Sequence, residues 1–297
     1  MQIVPSSKTI LSLALSAFCL ASAHPAAAQS SFYQRPRADN AATSSFYQRF
    51  RAHNAGMAAY QPSWMAPLCQ ADTRIGQGIK FSVANLQTNG TRQIVYGNGH
   101  GFSTILANRF QLDFNPPSYF RNHSATAPDG FSNASAQVKV RIASGNAQHG
   151  NYAFTAVLFH AFAPRGYQNG YLSSVYFPKL GYGRAFGRFN IQSMFDGQLP
   201  TARIYAQGRA VDWNTAAQLH PTAHIWLNLE NNATFFYAGP NDGKRENFLT
   251  PVAFYQIRRS SWSPTHALVT FDAGMQIATT RYHQFNHNLI TEMRIGF

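Results

Sequence analysis

Apolar and polar residues alternate along most of the chain from about residue 72 onward. The last nine residues are the clearest case, because apolar or neutral residues stand at every second position: Leu289, Thr291, Met293, Ile295 and Phe297. Successive side chains of a β-strand point to opposite faces, so this stretch has one apolar face and one mostly polar face. The same alternation recurs in segments 79–84, 110–115, 138–143, 186–195, 225–230 and 269–277. It predicts an all-β fold of about 12 strands, within a range of roughly 8 to 14.

Clusters of Gly, Pro, Asn and Asp separate these runs and predict turns. They occur at 115–117, 144–146, 196–197 and 239–243. A further strand is predicted over 202–209, where Ala202, Ile204 and Ala206 alternate with Arg203 and Tyr205. No long stretch of this region has the periodicity of a helix.

The first 28 residues have the order of a secretory signal peptide. Lys8 precedes the apolar run 10–21, and the small residues 26–28 supply a cleavage site after Ala28. The run is shorter than the ~20 residues that a membrane-spanning helix needs. Residues 29–71 contain a short tandem repeat, 30–41 and 44–55, and are predicted to form a flexible periplasmic extension or a plug-like tail before a domain at 72–297. Cys69 is the only cysteine after residue 28, so the predicted mature chain has no internal disulfide.

Composition narrows the class of β-protein. Aromatic residues make up 14% of the chain and charged residues only 12%, about half the usual charged share of a soluble domain. Outward apolar bands and aromatic girdles would use such a composition, so we predict a transmembrane antiparallel up-and-down β-barrel. A soluble periplasmic β-sandwich with an aromatic core is the alternative. An even strand number places both ends of a barrel on the periplasmic side.

The C-terminal strand resembles the assembly signal of bacterial outer-membrane β-barrels. The resemblance is carried by Leu289, Met293, Ile295 and Phe297, and it implies the barrel-assembly machinery as a partner. Segments 181–193, 211–216, 233–244, 274–278 and 287–290 also resemble a family of predicted bacterial outer-membrane β-barrel proteins. These are similar to transporters linked to aromatic-compound (phenol) degradation operons. The resemblance covers roughly residues 137–297 and implies a transport role in the outer membrane of a Gram-negative cell.

The formal net charge of +13 adds an expectation about the lumen. Strong positive charge is typical of proteins that meet nucleic acid, anionic membrane surfaces or anionic solutes, and export argues against nucleic acid. Arg facing lipid at the midplane costs roughly 2–4 kcal/mol, so some basic residues are expected to face the lumen and favour anions. Others are expected to pair with lipopolysaccharide phosphates at the outer rim. The lumen candidates are the charged residues on the polar parity of their strands: Lys139, Arg141, Arg188, Arg203, Arg209, Glu230, Asp272, Glu292 and Arg294. Trp226 and Tyr205 are expected to narrow the bore from the same face.

No motif in the chain indicates catalysis, a cofactor or a metal. The glycine-rich stretch 97–101 lacks the GK[ST] ending of a phosphate-binding loop, and there is no Gly-x-Ser-x-Gly elbow. His283 and His287 stand four residues apart, roughly 13 Å along a strand, which favours a polar loop over a metal site. We therefore expect a porin-like channel for passive passage of small solutes, with anionic or aromatic solutes favoured. The alternatives are a structural or adhesive outer-membrane barrel that transports nothing, and a soluble periplasmic ligand-binding β-protein.

Overall fold

A computed structural model of the chain describes residues 52–53, 56–57, 59–88, 90–124, 127–163, 169–257 and 267–297. The predicted signal peptide and nearly all of the tandem repeat lie outside these residues. The described part is built from β-strands, with a short helix, α1 (Ile204–Gln207). The strands are β1 (Gly78–Thr88), β2 (Thr91–Tyr96), β3 (Gly101–Ala107), β4 (Phe110–Asn115), β5 (Tyr119–His123), β6 (Gly130–Phe131), β7 (Ser135–Gly145), β8 (Tyr152–Ala161), β9 (Val175–Phe186), β10 (Phe189–Pro200), β11 (Arg209–Leu219), β12 (Ile225–Ala238), β13 (Arg245–Ile257), β14 (Leu268–Ala278) and β15 (His287–Gly296).

The strands form one antiparallel sheet that closes on itself. From β7 to β15 each strand pairs with the next along the chain, and β15 returns to pair with β1 from Gly78↔Gly296 to Gln87↔His287. Three long strands are each interrupted, so that two shorter strands occupy one position in the wall. The first is made of β2 and β3, which both pair with β1. The second is made of β4, which pairs with β3, and β5, which pairs with β2; the third is made of β6, which pairs with β5, and β7, which pairs with β4. Counting each interrupted pair once gives a closed barrel of twelve strands, which confirms the predicted fold.

The two ends of the barrel differ. At one end, here the terminal end, Gly78 begins β1 and Gly296 ends β15. At this end the chain passes from β3 to β4, β7 to β8, β9 to β10, β11 to β12 and β13 to β14. At the other end, here the loop end, it passes from β1 to β2, β5 to β6, β8 to β9, β10 to β11, β12 to β13 and β14 to β15.

Polar side chains point into the barrel and apolar side chains point outward, which is the reverse of the arrangement in a soluble protein. Glu230 and Gln192 point into the barrel and are 0% exposed, whereas Leu158 points outward and is 49% exposed. Other buried polar side chains share the inner face: Ser82, Thr155, Asn190, Gln218, Asn228, Thr250 and Asp272. Exposed apolar side chains cover the outer face: Phe81, Phe102, Leu180, Phe195, Trp213, Leu227, Phe271 and Leu289. The outer surface thus matches hydrocarbon, and closure leaves no unpaired sheet edge inside it.

Three local predictions were wrong. The strand predicted over 202–209 is a connection that contains α1, entered through Arg203 at a left-handed φ of 56°. The turn predicted at Asp196-Gly197 lies inside β10, where both residues pair with β11. The prolines at 116–117 interrupt a strand between β4 and β5 rather than reversing the chain, since both flanking segments continue in the same wall.

Candidate functional site: an occupied lumen

Residues 59–77, directly before β1, lie inside the barrel. Residues 59–77, here the luminal segment, contact inward side chains from strands all around the ring. Only the inside of a closed ring gives one short segment access to so many walls. The wall residues that hydrogen-bond to it include Gln111 on β4, Lys139 on β7, Gln192 on β10, Gln218 on β11, Glu230 on β12, Thr250 on β13 and Arg294 on β15.

Two opposite charges hold the centre of the luminal segment. The Glu230 carboxylate accepts hydrogen bonds from the backbone N–H groups of Leu68 (2.6 Å) and Cys69 (2.8 Å). The Arg294 guanidinium donates to the carbonyl oxygens of Ala66 (2.6 Å) and Pro67 (3.1 Å). The backbone groups of four consecutive residues therefore make charge-assisted hydrogen bonds, which are stronger than neutral ones.

Neighbouring carboxylates keep the Arg294 side chain in place. Arg294 Nη2 lies 2.9 Å from Asp272 Oδ2, and Arg294 Nε donates to Glu292 Oε1. Asp272 is 5% exposed and Glu292 8% exposed, so these ion pairs are screened little by water. Removing one partner of such a buried pair leaves an uncompensated charge, which makes this cluster a rigid part of the wall.

Further donors from the wall fix both sides of this centre. Gln192 Nε2 and Gln218 Nε2 both donate to the carbonyl oxygen of Met65, at 3.0 and 3.1 Å. Lys139 Nζ donates to the carbonyl oxygens of Asp72 (2.9 Å) and Arg74 (3.0 Å). Several buried polar side chains of the wall are thus paired with backbone atoms of the luminal segment, which satisfies hydrogen-bonding groups that water does not reach.

Apolar packing completes the contact near the terminal end. Trp64 and Met65 form a buried cluster with the wall residues Ala153, Trp226, Val252 and Phe254. Two inward glycines make room for the segment. A Cβ built on Gly183 would lie 2.8 Å from Cζ2 of Trp64, and one on Gly274 would lie 2.8 Å from Cδ2 of Leu68. Larger residues at these wall positions would displace the luminal segment.

The reactivity of the Cys69 thiol depends on whether the luminal segment is in place. Its thiol lies 3.9 Å from Thr250 Oγ1, and burial together with the nearby Glu230 carboxylate raises the pKa of the thiol well above its ordinary value. A thiol in this state reacts slowly, because the thiolate is the nucleophile.

Six of the nine predicted lumen residues are on the inner face: Lys139, Arg141, Glu230, Asp272, Glu292 and Arg294. Trp226 joins them, stacked on His220 at 3.9 Å between ring centroids. Arg188, Arg203 and Tyr205 require correction, because the strands predicted there begin or end differently. Arg188 is exposed in the turn between β9 and β10, and Arg203 precedes α1. Tyr205 is 95% exposed on α1, and Arg209 begins β11 at a register shift.

The basic excess does not line the lumen. Among the described strands, seven acidic side chains and five basic ones point inward. The acidic ones are Asp113, Asp196, Asp212, Glu230, Glu246, Asp272 and Glu292, and the basic ones are Lys80, Lys139, Arg141, Lys179 and Arg294. The predicted anion preference loses its basis, because most arginines of the described chain lie in connections or on the outer face.

The functional positions that the sequence analysis did not name differ in how far the sequence marks them. The luminal segment lacks periodicity, because its backbone is held by wall side chains and not by strand partners. Gln192 and Gln218 stand on the polar parity of their strands, so alternation alone places them inward. Nothing in the sequence distinguishes Gly183 from the other glycines, since its role depends on where Trp64 lies.

A closed sheet with an apolar exterior and a polar lumen defines a membrane-spanning β-barrel, here with an internal segment. Among the described residues, no helix is long and apolar enough to cross a membrane, and no group of three or more His, Cys, Asp or Glu is gathered as a metal site.

No family model and no curated protein matches the sequence. Solved structures resemble the fold at low similarity. The NanC porin has 8% identity and a TM-score of 0.49, over 74% of this chain and 98% of the porin. The COG4313 outer membrane channel from Pseudomonas putida F1 has 11% identity and a TM-score of 0.49, over 79% of this chain and all of the channel. OmpT of Vibrio cholerae has 9% identity and a TM-score of 0.36, over 74% of this chain and 96% of OmpT. Similarities at this level carry no argument, and the class rests on the closure and polarity of the barrel itself.

Proposed function

We propose that this protein is a channel of the bacterial outer membrane, for passive passage of small solutes, and that the luminal segment limits its conductance. The observation that carries the proposal is a closed ring whose inner wall is polar and whose outer wall is apolar. The terminal end, where β1 begins and β15 ends, would face the periplasm, and the loop end would face the exterior.

The luminal segment would set the resting state of the channel. Part of its contact with the wall lies near the terminal end, where Gln192 lies three residues from the start of β10 and Arg294 two residues from the end of β15. The loop-end half would then form a vestibule. Solute flow would require the segment to shift or to leave a narrow path beside it.

The solute would be small and neutral or aromatic rather than anionic. Phe159 and Phe177 point inward in the loop-end half with ring centroids 5.4 Å apart, and Tyr171 lies 5.7 Å from Phe177. Lys179 Nζ lies over both phenylalanine rings and is also paired with Asp196 at 2.9 Å. Rings arranged edge to face can take a further ring of a solute. The link to phenol-degradation operons and the absence of enzyme activity remain predictions.

Planar-bilayer recording tests the channel. Three proteins are compared: residues 29–297, a variant that lacks 29–56 and keeps the luminal segment, and one that lacks 29–76 and loses it. We expect the third protein to conduct several-fold more than the second, because only it has an emptied lumen. In a salt gradient its reversal potential should show a weak preference for cations, since the wall then carries more acids than bases.

The alternative of a structural barrel that transports nothing has one specific observation in its favour, the dense bonding of the luminal segment. Folding of each variant is first verified by its shift on unheated gels. A folded variant without residues 29–76 that stays silent in the bilayer would overturn the channel and favour the structural barrel. Clear anion preference would overturn the solute assignment while leaving the channel intact.

A further inference from the structure

The outer face of the barrel carries a row of polar and basic side chains at the loop end. Residues directly opposite one another on four adjacent strands form it: His123 on β5, Arg92 on β2, Gln87 on β1 and His287 on β15. Neighbouring strands lie about 4.8 Å apart, so the row is about 14 Å long. Arg121 stands two residues before His123 on the same face of β5.

Strand parity shows that this row points away from the lumen. Val95 on β2 is 2% exposed and belongs to a lumen cluster with Ala84 and Ile290. Arg92 has the opposite parity and is exposed, as are Arg121 and His123. Arg92 Nε donates to Asn85 Oδ1 on the outer face of β1 at 2.9 Å, which holds the guanidinium against the outside of the barrel.

The row lies at the edge of the apolar surface. Next to Arg92 on the outer face stands Ile94, and next to His287 stands Leu289, which is 40% exposed. Further along the same strands the outward residues include Tyr96 and Met293. The outer surface of the barrel therefore changes from apolar to basic at the depth where the hydrocarbon of the outer leaflet would end and the headgroups would begin. Arginine costs only about 0–1 kcal/mol at that depth.

The two arginines have no acidic partner in the described chain. None of the salt bridges among the described residues involves Arg92 or Arg121. Asp129, in the adjoining connection, accepts the backbone N–H of Asn122 at 2.6 Å. Diagonal neighbours on paired strands stand about 7–8 Å apart, so Arg92 and Arg121 can approach one phosphate from two sides. Guanidinium groups bind phosphate oxygens in pairs of parallel hydrogen bonds.

We propose that Arg92, Arg121 and the row beside them bind a phosphate of lipopolysaccharide in the outer leaflet. The proposal rests on the membrane orientation given above, in which the loop end faces the exterior, and is independent of conductance. The terminal end supplies a matched control. Arg184 also points outward from its strand, but at the opposite end and stacked on Phe186 at 5.2 Å.

The test measures lipid retained by the folded protein, residues 29–297, after mixing with detergent micelles of defined lipid and washing. The lipids are bis-phosphorylated lipid A, dephosphorylated lipid A and phosphatidylglycerol. We expect at least tenfold more bis-phosphorylated than dephosphorylated lipid A on the unmodified protein. The double variant Arg92→Gln and Arg121→Gln should lose most of this difference, and Arg184→Gln should retain it.

A second variant and a salt series test the same phosphate contacts. If the double variant does not fold, Arg92→Lys replaces it, and retention should fall because charge remains but the paired hydrogen bonds are lost. Raising the salt concentration should weaken retention by the unmodified protein, as expected for phosphate contacts. Equal retention by the unmodified protein and the folded variants, equal loss in Arg184→Gln, or equal retention of phosphatidylglycerol would each overturn the assignment.

Discussion

Replacing Glu230 by Gln should release the luminal segment while leaving the barrel closed. The carboxylate accepts the N–H groups of Leu68 and Cys69 at 2.6 and 2.8 Å, and Asn228 Nδ2 donates to it at 2.6 Å. Hydrogen bonds to a charged group contribute about 1.5–3 kcal/mol each. Gln keeps one acceptor oxygen and turns an amide N–H toward the other donor, so we expect a net loss of about 2–3 kcal/mol.

The loss should raise the population of the released state. Each 1.4 kcal/mol changes an equilibrium about tenfold, so release should become roughly 30- to 150-fold more frequent. The assay is the rate at which a maleimide reagent labels Cys69 in the folded protein, residues 29–297, in which it is the only cysteine. Because the half-buried thiol is shielded by its contact with Thr250 until the segment is released, the labelling rate should rise, by up to the same factor.

Glu246→Gln is the matched control. Glu246 also points inward, but it accepts the backbone N–H of Gln284 in a loop-end connection, at 3.0 Å, and does not contact the luminal segment. Its labelling rate should stay within about threefold of the unmodified protein. If Glu230→Gln labels no faster than Glu246→Gln while both remain folded, the anchoring role of Glu230 is refuted.

Other changes test the same arrangement. Gly183→Ala places a Cβ against Trp64 and should weaken binding of the luminal segment to the wall by about 1–3 kcal/mol. Cys69 should then be labelled faster, and adding Trp64→Phe should partly reverse this increase. Lys139→Met removes two donors to backbone carbonyls and should raise conductance without changing the heat-induced gel shift of the barrel. Phe297→Ala should lower the yield of folded protein in the outer membrane several-fold, measured by the same gel shift, whereas Phe271→Ala on the same outer face should have the smaller effect if the C-terminal aromatic is an assembly signal.

Strand alternation predicted the wall of this protein well because both faces of each strand have strict requirements. Hydrocarbon outside and polar groups inside select residue types with a period of two, and a closed barrel repeats this requirement around the ring. Lys139, Glu230 and Arg294 were therefore assigned to the inner face from parity alone. The same reasoning was wrong at Arg203 and Tyr205, where four residues between strands alternate by chance and form α1 instead.

The sequence by itself determined the all-β class, the apolar exterior and the parity of most inward charges, because these depend on neighbours along a strand. Only the tertiary structure decided what the inward charges contact. Glu230 and Arg294 are 64 positions apart in numbering and both bind backbone atoms of residues 66–69. Backbone groups are alike at every residue, so no side-chain pattern marks the segment that occupies the lumen, and its position follows only from the closure of the ring around it.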